Sequence, residues 1–71
     1  MPKEPLQDLI NLRKARGLSQ QFVAEKIDVS RSTYSGYENG YYEIPFKKVI
    51  ILKKLLKTKD DNIFLQISDR K

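Results

Sequence analysis

The 71 residues suffice for one domain with a single small core. Cysteine and histidine are both absent, which excludes disulfides, Cys/His zinc sites, Ser-His or Cys-His catalysis and a histidine pH switch. Lysine plus arginine number 14 against 9 acids, a net +5, and such an excess attracts polyanions, of which nucleic acid is the commonest.

The excess is concentrated. Residues 31–59 carry seven bases and two acids, whereas residues 1–30 carry five and four and residues 60–71 carry two and three. Lysines also solvate helix faces through their aliphatic stems, so each one alone is ambiguous. No apolar run is long enough to span a bilayer and no signal peptide opens the chain, so a soluble, cytoplasmic protein is expected.

In chain order, turn signals divide the sequence into five short helices. Pro5 suits a first helical position; Leu6, Leu9, Ile10 and Leu12 recur at helical spacing, and Gly17 stops the first helix. Ser19 is a good N-cap for a second helix, Gln20 to Ile27, whose inner face is Val23, Ala24 and Ile27. Asp28, tolerant of the left-handed conformation, breaks it. Ser30 caps a third helix, Arg31 to about Glu38, which Asn39-Gly40 ends. Pro45 opens a fourth with Val49, Leu52 and Leu56 as its stripe. Thr58 with Asp61 three residues on resembles a capping box and is expected to start a fifth helix carrying Ile63 and Phe64. Residues 1–65 form the domain on this reading, and 66–71 are a frayed tail or an extended arm.

The second and third helices are joined by four residues, Ile27-Asp28-Val29-Ser30, and helices joined so tightly cross steeply, as in a helix-turn-helix. At about 100° per residue, Tyr34 and Tyr37 share one side of the third helix. Arg31, Ser32, Ser35 and Gly36 spread over the opposite arc, with Thr33 at its margin. That slim polar face fits a DNA major groove, with Arg31 able to read guanine bidentately and Ser32 and Ser35 able to reach bases. The bland alternative is an ordinary surface helix. Arg13 falls on the apolar side of the first helix and Glu38 on the inner edge of the third. An Arg13–Glu38 ion pair is therefore expected, unless Arg13 extends to water.

At this point the residues carry a resemblance. Leu9…Leu12-Arg13-Lys14…Gly17-Leu18-Ser19-Gln20…Val23-Ala24…Ile27-Asp28-Val29-Ser30-Arg31-Ser32-Thr33-Tyr34-Ser35…Tyr37-Glu38-Asn39-Gly40 resembles the phage repressor and Cro-like, or xenobiotic-response-element, helix-turn-helix family. Glu43-Ile44-Pro45 and Asp61…Ile63-Phe64 look like the same family. The resemblance implies an all-α, lambda-repressor-like domain of five short helices that binds double-stranded operator DNA, usually as a two-fold homodimer. It implies that Gln20 contacts a phosphate and orients Arg31, that Asn39 contacts the backbone, and that Arg31 and Ser32 read bases. Three positions depart from the pattern: Asp28 replaces the customary turn glycine, Tyr34 replaces an aliphatic core residue, and Gly36 leaves a base-reading position empty. Tyr41 and Tyr42 stand where basic loop residues are common. Tyr41 and Tyr42 are expected to touch the DNA backbone through their hydroxyls or to pack on a second subunit, Thr33 to contact bases or phosphates, and Lys47 and Lys48 to restore the missing charge.

Phe46, Ile50, Leu65 and Ile67 are candidates for a homodimer interface, and Phe22 a weaker one. The leading expectation is a sequence-specific transcriptional regulator of phage or mobile-element type, acting by operator occupancy and residing in the cytoplasm, on the nucleoid when bound. The alternatives are the antitoxin of a toxin–antitoxin pair and a protein-interaction module of the same fold. No enzyme is expected, since no phosphate loop or nucleophile–base pair is visible, and no metal, cofactor or membrane contact.

Overall fold

Left-handed residues end every α-helix described in this chain, and serine caps start the second and third. The computed structural model describes residues 4–64. The tail 66–71 and the interface candidates Leu65 and Ile67 lie outside the described residues. Among the described residues there are four α-helices, α1 (Gln7–Ala15), α2 (Gln20–Lys26), α3 (Arg31–Asn39) and α4 (Phe46–Leu56), and one 3-10 turn, Asp61–Phe64.

Both serines act as the sequence suggests. Ser19 Oγ accepts from the Phe22 backbone N–H at 3.0 Å, and Ser30 Oγ from that of Thr33 at 3.1 Å. Each satisfies one otherwise unpaired donor of a helix N-terminus, worth about 1 kcal/mol. The start of α1 differs from expectation. Pro5 precedes the helix, and the helix begins after Leu6, whose backbone N–H donates to the Glu38 carbonyl at 2.7 Å. A bond to another helix, invisible locally, sets that boundary.

All four helices end alike. Gly17, Asp28, Gly40 and Lys57 have φ of 74°, 63°, 82° and 57°. At each, two backbone N–H groups fold back on the last carbonyls: that of the following residue, Leu18 on Arg13, Val29 on Ala24, Tyr41 on Gly36 and Thr58 on Lys53, at 2.9–3.1 Å, and that of the left-handed residue itself, Gly17 on Lys14, Asp28 on Glu25, Gly40 on Tyr37 and Lys57 on Lys54, at 2.9–3.3 Å. This is the Schellman stop. Arg16, from the end of α1, reinforces the last of them, its Nε donating to the Leu56 carbonyl at 2.7 Å and its Nη2 to that of Lys57 at 3.3 Å. Lys48 does the same for α2, its Nζ donating to the Ile27 carbonyl at 2.6 Å. A cation at a helix C-terminus also opposes the negative end of the macrodipole.

The expected fifth helix is a correction. Thr58 Oγ1 accepts from the Asp60 backbone N–H at 3.1 Å, a tight turn on itself. Four residues of 3-10 turn follow, enough to deliver Ile63 and Phe64 to the core.

The core gathers Leu6 and Leu9 of the first segment, Val23, Ala24 and Ile27, Tyr34 and Tyr37, Leu52 and Leu56, and Ile63 and Phe64. α2 packs on α3, and α1 packs on both α3 and the 3-10 turn. Ala24 is fully buried, and its small side chain lets α3 approach. The outcome is a helix-turn-helix braced by α1 and α4, with the first polar residues of α3 left outside.

A non-glycine residue held left-handed is disfavoured by roughly 1–2 kcal/mol, less for Asp than for Lys. Lys57→Gly is expected to raise unfolding stability by about 1 kcal/mol, net of the greater freedom glycine gives the unfolded chain. Asp28→Gly should gain less. Urea titration of the three proteins checks the order.

Candidate nucleic-acid interface

The position of α3 is fixed by one carboxylate. Glu38 is 1% exposed, and a buried charge must be paired and hydrogen-bonded. Its Oε2 accepts from Arg13 Nε at 2.5 Å, and its Oε1 from Arg13 Nη2 at 3.3 Å and from Gln20 Nε2 at 2.9 Å. Arg13, itself 7% exposed, also donates from Nη1 to the Leu18 carbonyl at 2.7 Å. Its hydrogen bond to Glu38 raises the guanidinium pKa above its ordinary value, so Arg13 stays charged. α1, the start of α2 and α3 thus meet at a single side chain.

Tyr34 lies fully buried beside this pair. Its hydroxyl makes no hydrogen bond of good geometry with the described residues, although the Glu38 carboxylate is its neighbour. Burial first, and Glu38 second, push the phenol well above the ordinary tyrosine range, which keeps it neutral. The Tyr37 ring meets Tyr34 edge-on, with centroids 6.3 Å apart and planes at 84°. Both tyrosines therefore anchor α3 from behind.

The opposite side of α3 is open at its N-terminal half. Gln20, Arg31, Ser32 and Ser35 line one shallow cleft, so four of the residues singled out above are brought together. Arg31 and Ser32 are exposed, and Ser35 is half-buried. The hydroxyls are already ordered by local bonds: Ser30 Oγ lies 3.3 Å from Ser32 Oγ and 2.9 Å from Thr33 Oγ1, and Asn39 Nδ2 donates to Ser35 Oγ at 3.3 Å. Gln20 belongs to both layers, its amide nitrogen turned inward to Glu38 while the side chain lines the cleft.

Gly36 is placed differently from expectation. It lies on the outer arc of the helix, yet it is buried. After Gly40 the chain turns back, the Tyr41 and Tyr42 backbone N–H groups donate to the Gly36 carbonyl at 2.9 and 3.4 Å, and the Tyr42 ring lies over the glycine. The slim face is thus closed at that point by the protein itself. The wheel could not show it, because the reversal depends on the left-handed Gly40.

The cations divide into two groups. Arg31 and Lys47 are exposed. Arg13, Arg16 and Lys48 hold the fold together, and Lys48 reaches the end of α2. The role of Arg16 had no signal in the sequence, since its acceptors lie 40 and 41 residues away. Among apolar side chains, Phe46 is 77% exposed, and Ile50 one turn later is partly exposed. Phe22 is partly exposed too, with Lys26 Nζ 5.2 Å from its ring centroid. Among the described residues, no helix is long and apolar enough to cross a membrane.

Two short helices joined through a left-handed turn, the second anchored by aromatic residues and presenting a polar cleft, define a helix-turn-helix domain. The chain belongs to the helix-turn-helix family of the repressor and Cro type, whose model matches residues 9–61. It is similar to the uncharacterized HTH-type transcriptional regulator YobD of Bacillus subtilis (strain 168), 40% identical over 57 residues that cover 80% of this chain and 51% of that protein. It is also similar to the HTH-type transcriptional regulator AnsR of the same organism, 34% identical over 58 residues that cover 82% of this chain and 50% of that protein. The chain thus spans about half the length of these relatives. No solved structure gives a significant match.

Removing one partner of a buried ion pair strands the other charge, at a cost of about 3–5 kcal/mol. Glu38→Gln is expected to destabilise by at least about 2 kcal/mol, with Arg13 left short of its counter-charge. Arg13→Met combined with Glu38→Leu should be far less damaging than the two single losses added together. A double-mutant cycle by urea unfolding measures the coupling; a value under ~0.5 kcal/mol would show that the pair does not hold α3.

Proposed function

We propose that the protein is a sequence-specific DNA-binding transcriptional regulator in which α3 enters the major groove of an operator. The observation that carries this reading is the cleft of Gln20, Arg31, Ser32 and Ser35 on the open side of a helix whose other side is locked into the core. A helix docks in a groove with small polar residues outward, and its orientation must be rigid for side chains to read base edges. Arg31 reads a guanine, and Ser32 and Ser35 contact bases beside it. The neighbouring side chains serve the backbone: Gln20, Thr33, Asn39 and Lys47 hold phosphates and fix the register. The two relatives are themselves named transcriptional regulators.

The working form is a homodimer on a two-fold operator, with Phe46 and Ile50 in the contact. An aromatic residue 77% exposed and an isoleucine on the same side of α4 support that assignment. Sedimentation should show two subunits on a palindromic site; one subunit, both free and bound, would remove the dimer.

Selection of bound fragments from a genomic pool supplies the operator. Arg31→Ala should then cost about 1–3 kcal/mol and relax preference at one base pair. Lys47→Ala should weaken every sequence about equally and flatten the slope of log K against log salt by ~0.9. An Arg31→Ala protein with unchanged affinity and unchanged selected sequence would overturn the docking.

A further inference from the structure

We infer that Tyr42, seated on Gly36, is a specificity-determining residue that reads a thymine. The inference rests on the groove-inserted α3 described above and adds to it a base contact made from outside the helix. Gly36 is the sixth residue of α3 and lies one turn after Ser32, on the same outer arc. Glycine is disfavoured inside a helix relative to alanine, so its presence there needs a reason. The geometry supplies one: a Cβ at position 36 would lie 2.4 Å from both Cδ2 and Cε2 of Tyr42. The ring occupies the volume that a side chain at position 36 would fill.

Three contacts pin the ring in place. The backbone N–H groups of Tyr41 and Tyr42 both donate to the Gly36 carbonyl, at 2.9 and 3.4 Å. The Tyr37 ring, itself in the core, meets Tyr42 edge-on with centroids 6.5 Å apart and planes at 87°. Yet Tyr42 stays 56% exposed. More than half of this side chain, a ring that carries a hydroxyl, therefore stays outside while it lies over Gly36, on the arc of α3 that also carries Ser32. In the major groove only thymine offers a methyl group next to an acceptor oxygen, and this pairing matches the exposed half of a tyrosine.

The test is selection of binding sites from a random duplex pool with four full-length proteins: wild type, Tyr42→Phe, Tyr42→Ala and Gly36→Ala. Wild type should show a thymine preference adjacent to the position set by Arg31. Tyr42→Ala should lose that preference, a drop of about ten-fold in discrimination at one base pair, and keep the Arg31-dependent one. Tyr42→Phe should keep the preference for thymine, since the ring edge remains. Gly36→Ala should reproduce the Tyr42→Ala pattern, because the new methyl displaces the ring; helical circular dichroism and thermal melting establish that each variant is folded. If Gly36→Ala does not fold, the two Tyr42 variants decide the question alone. A Tyr42→Ala protein that binds all sequences equally more weakly, or with an unchanged pattern, would reduce Tyr42 to a phosphate or packing contact and overturn the inference. If wild type selects no sequence at all, the docking of α3 falls and this reading falls with it, a result distinct from loss at one base pair.

Discussion

A single buried carboxylate fixes the geometry on which the rest of the molecule depends. Glu38 binds Arg13 from α1 and Gln20 from α2 through its side chain, while its own backbone carbonyl takes the Leu6 N–H. Desolvating such a pair offsets most of its Coulomb attraction, so its contribution lies less in net stability than in selecting one arrangement of the helices. A greasy contact of equal volume would permit α3 to slide or roll. A forked guanidinium on a planar carboxylate accepts only a narrow range of directions. Gln20 carries that constraint outward, because the side chain that bonds Glu38 also walls the cleft beside Arg31.

Helix ends show where local information suffices and where it does not. Ser19, Ser30, Gly17, Asp28 and Gly40 announce caps and stops that depend only on neighbouring backbone, and the boundaries of α2 and α3 follow from them. Lys57 carries no turn signal. Its left-handed conformation is supported by Arg16, which arrives from α1 and is joined to it only by folding. The start of α1 departs from its local signal for the same reason, since a bond from Leu6 to α3 outweighs the preference of Pro5 for a first turn. The fifth helix shrank to a 3-10 turn because Thr58 closes on Asp60.

The candidate face of α3 is legible to a similar depth. Periodicity alone separates Tyr34 and Tyr37 from Arg31, Ser32 and Ser35, and these lie on opposite sides as the wheel places them. Charge counting is a blunter instrument. It cannot tell that the Lys48 ammonium bonds the end of α2, or that Arg13 and Arg16 are engaged inside the domain. Part of the basic excess therefore serves carbonyls and a carboxylate. The cover over Gly36 was out of reach for sequence reasoning, because a loop has no period from which to place its rings.

The contact between Arg16 and the end of α4 bears on how the molecule comes apart. Most of the architecture is assembled from near neighbours in sequence, and such topologies fold fast. Arg16 and Leu56 are 40 residues apart, so their bond closes a loop through α2, α3 and α4, and a contact of that reach is expected to form late in folding. Interactions made after the folding barrier slow escape from the native state and leave the rate of reaching it almost untouched. On that argument the arginine is a latch on the lifetime of the folded domain, its charge spent on the Leu56 and Lys57 carbonyls.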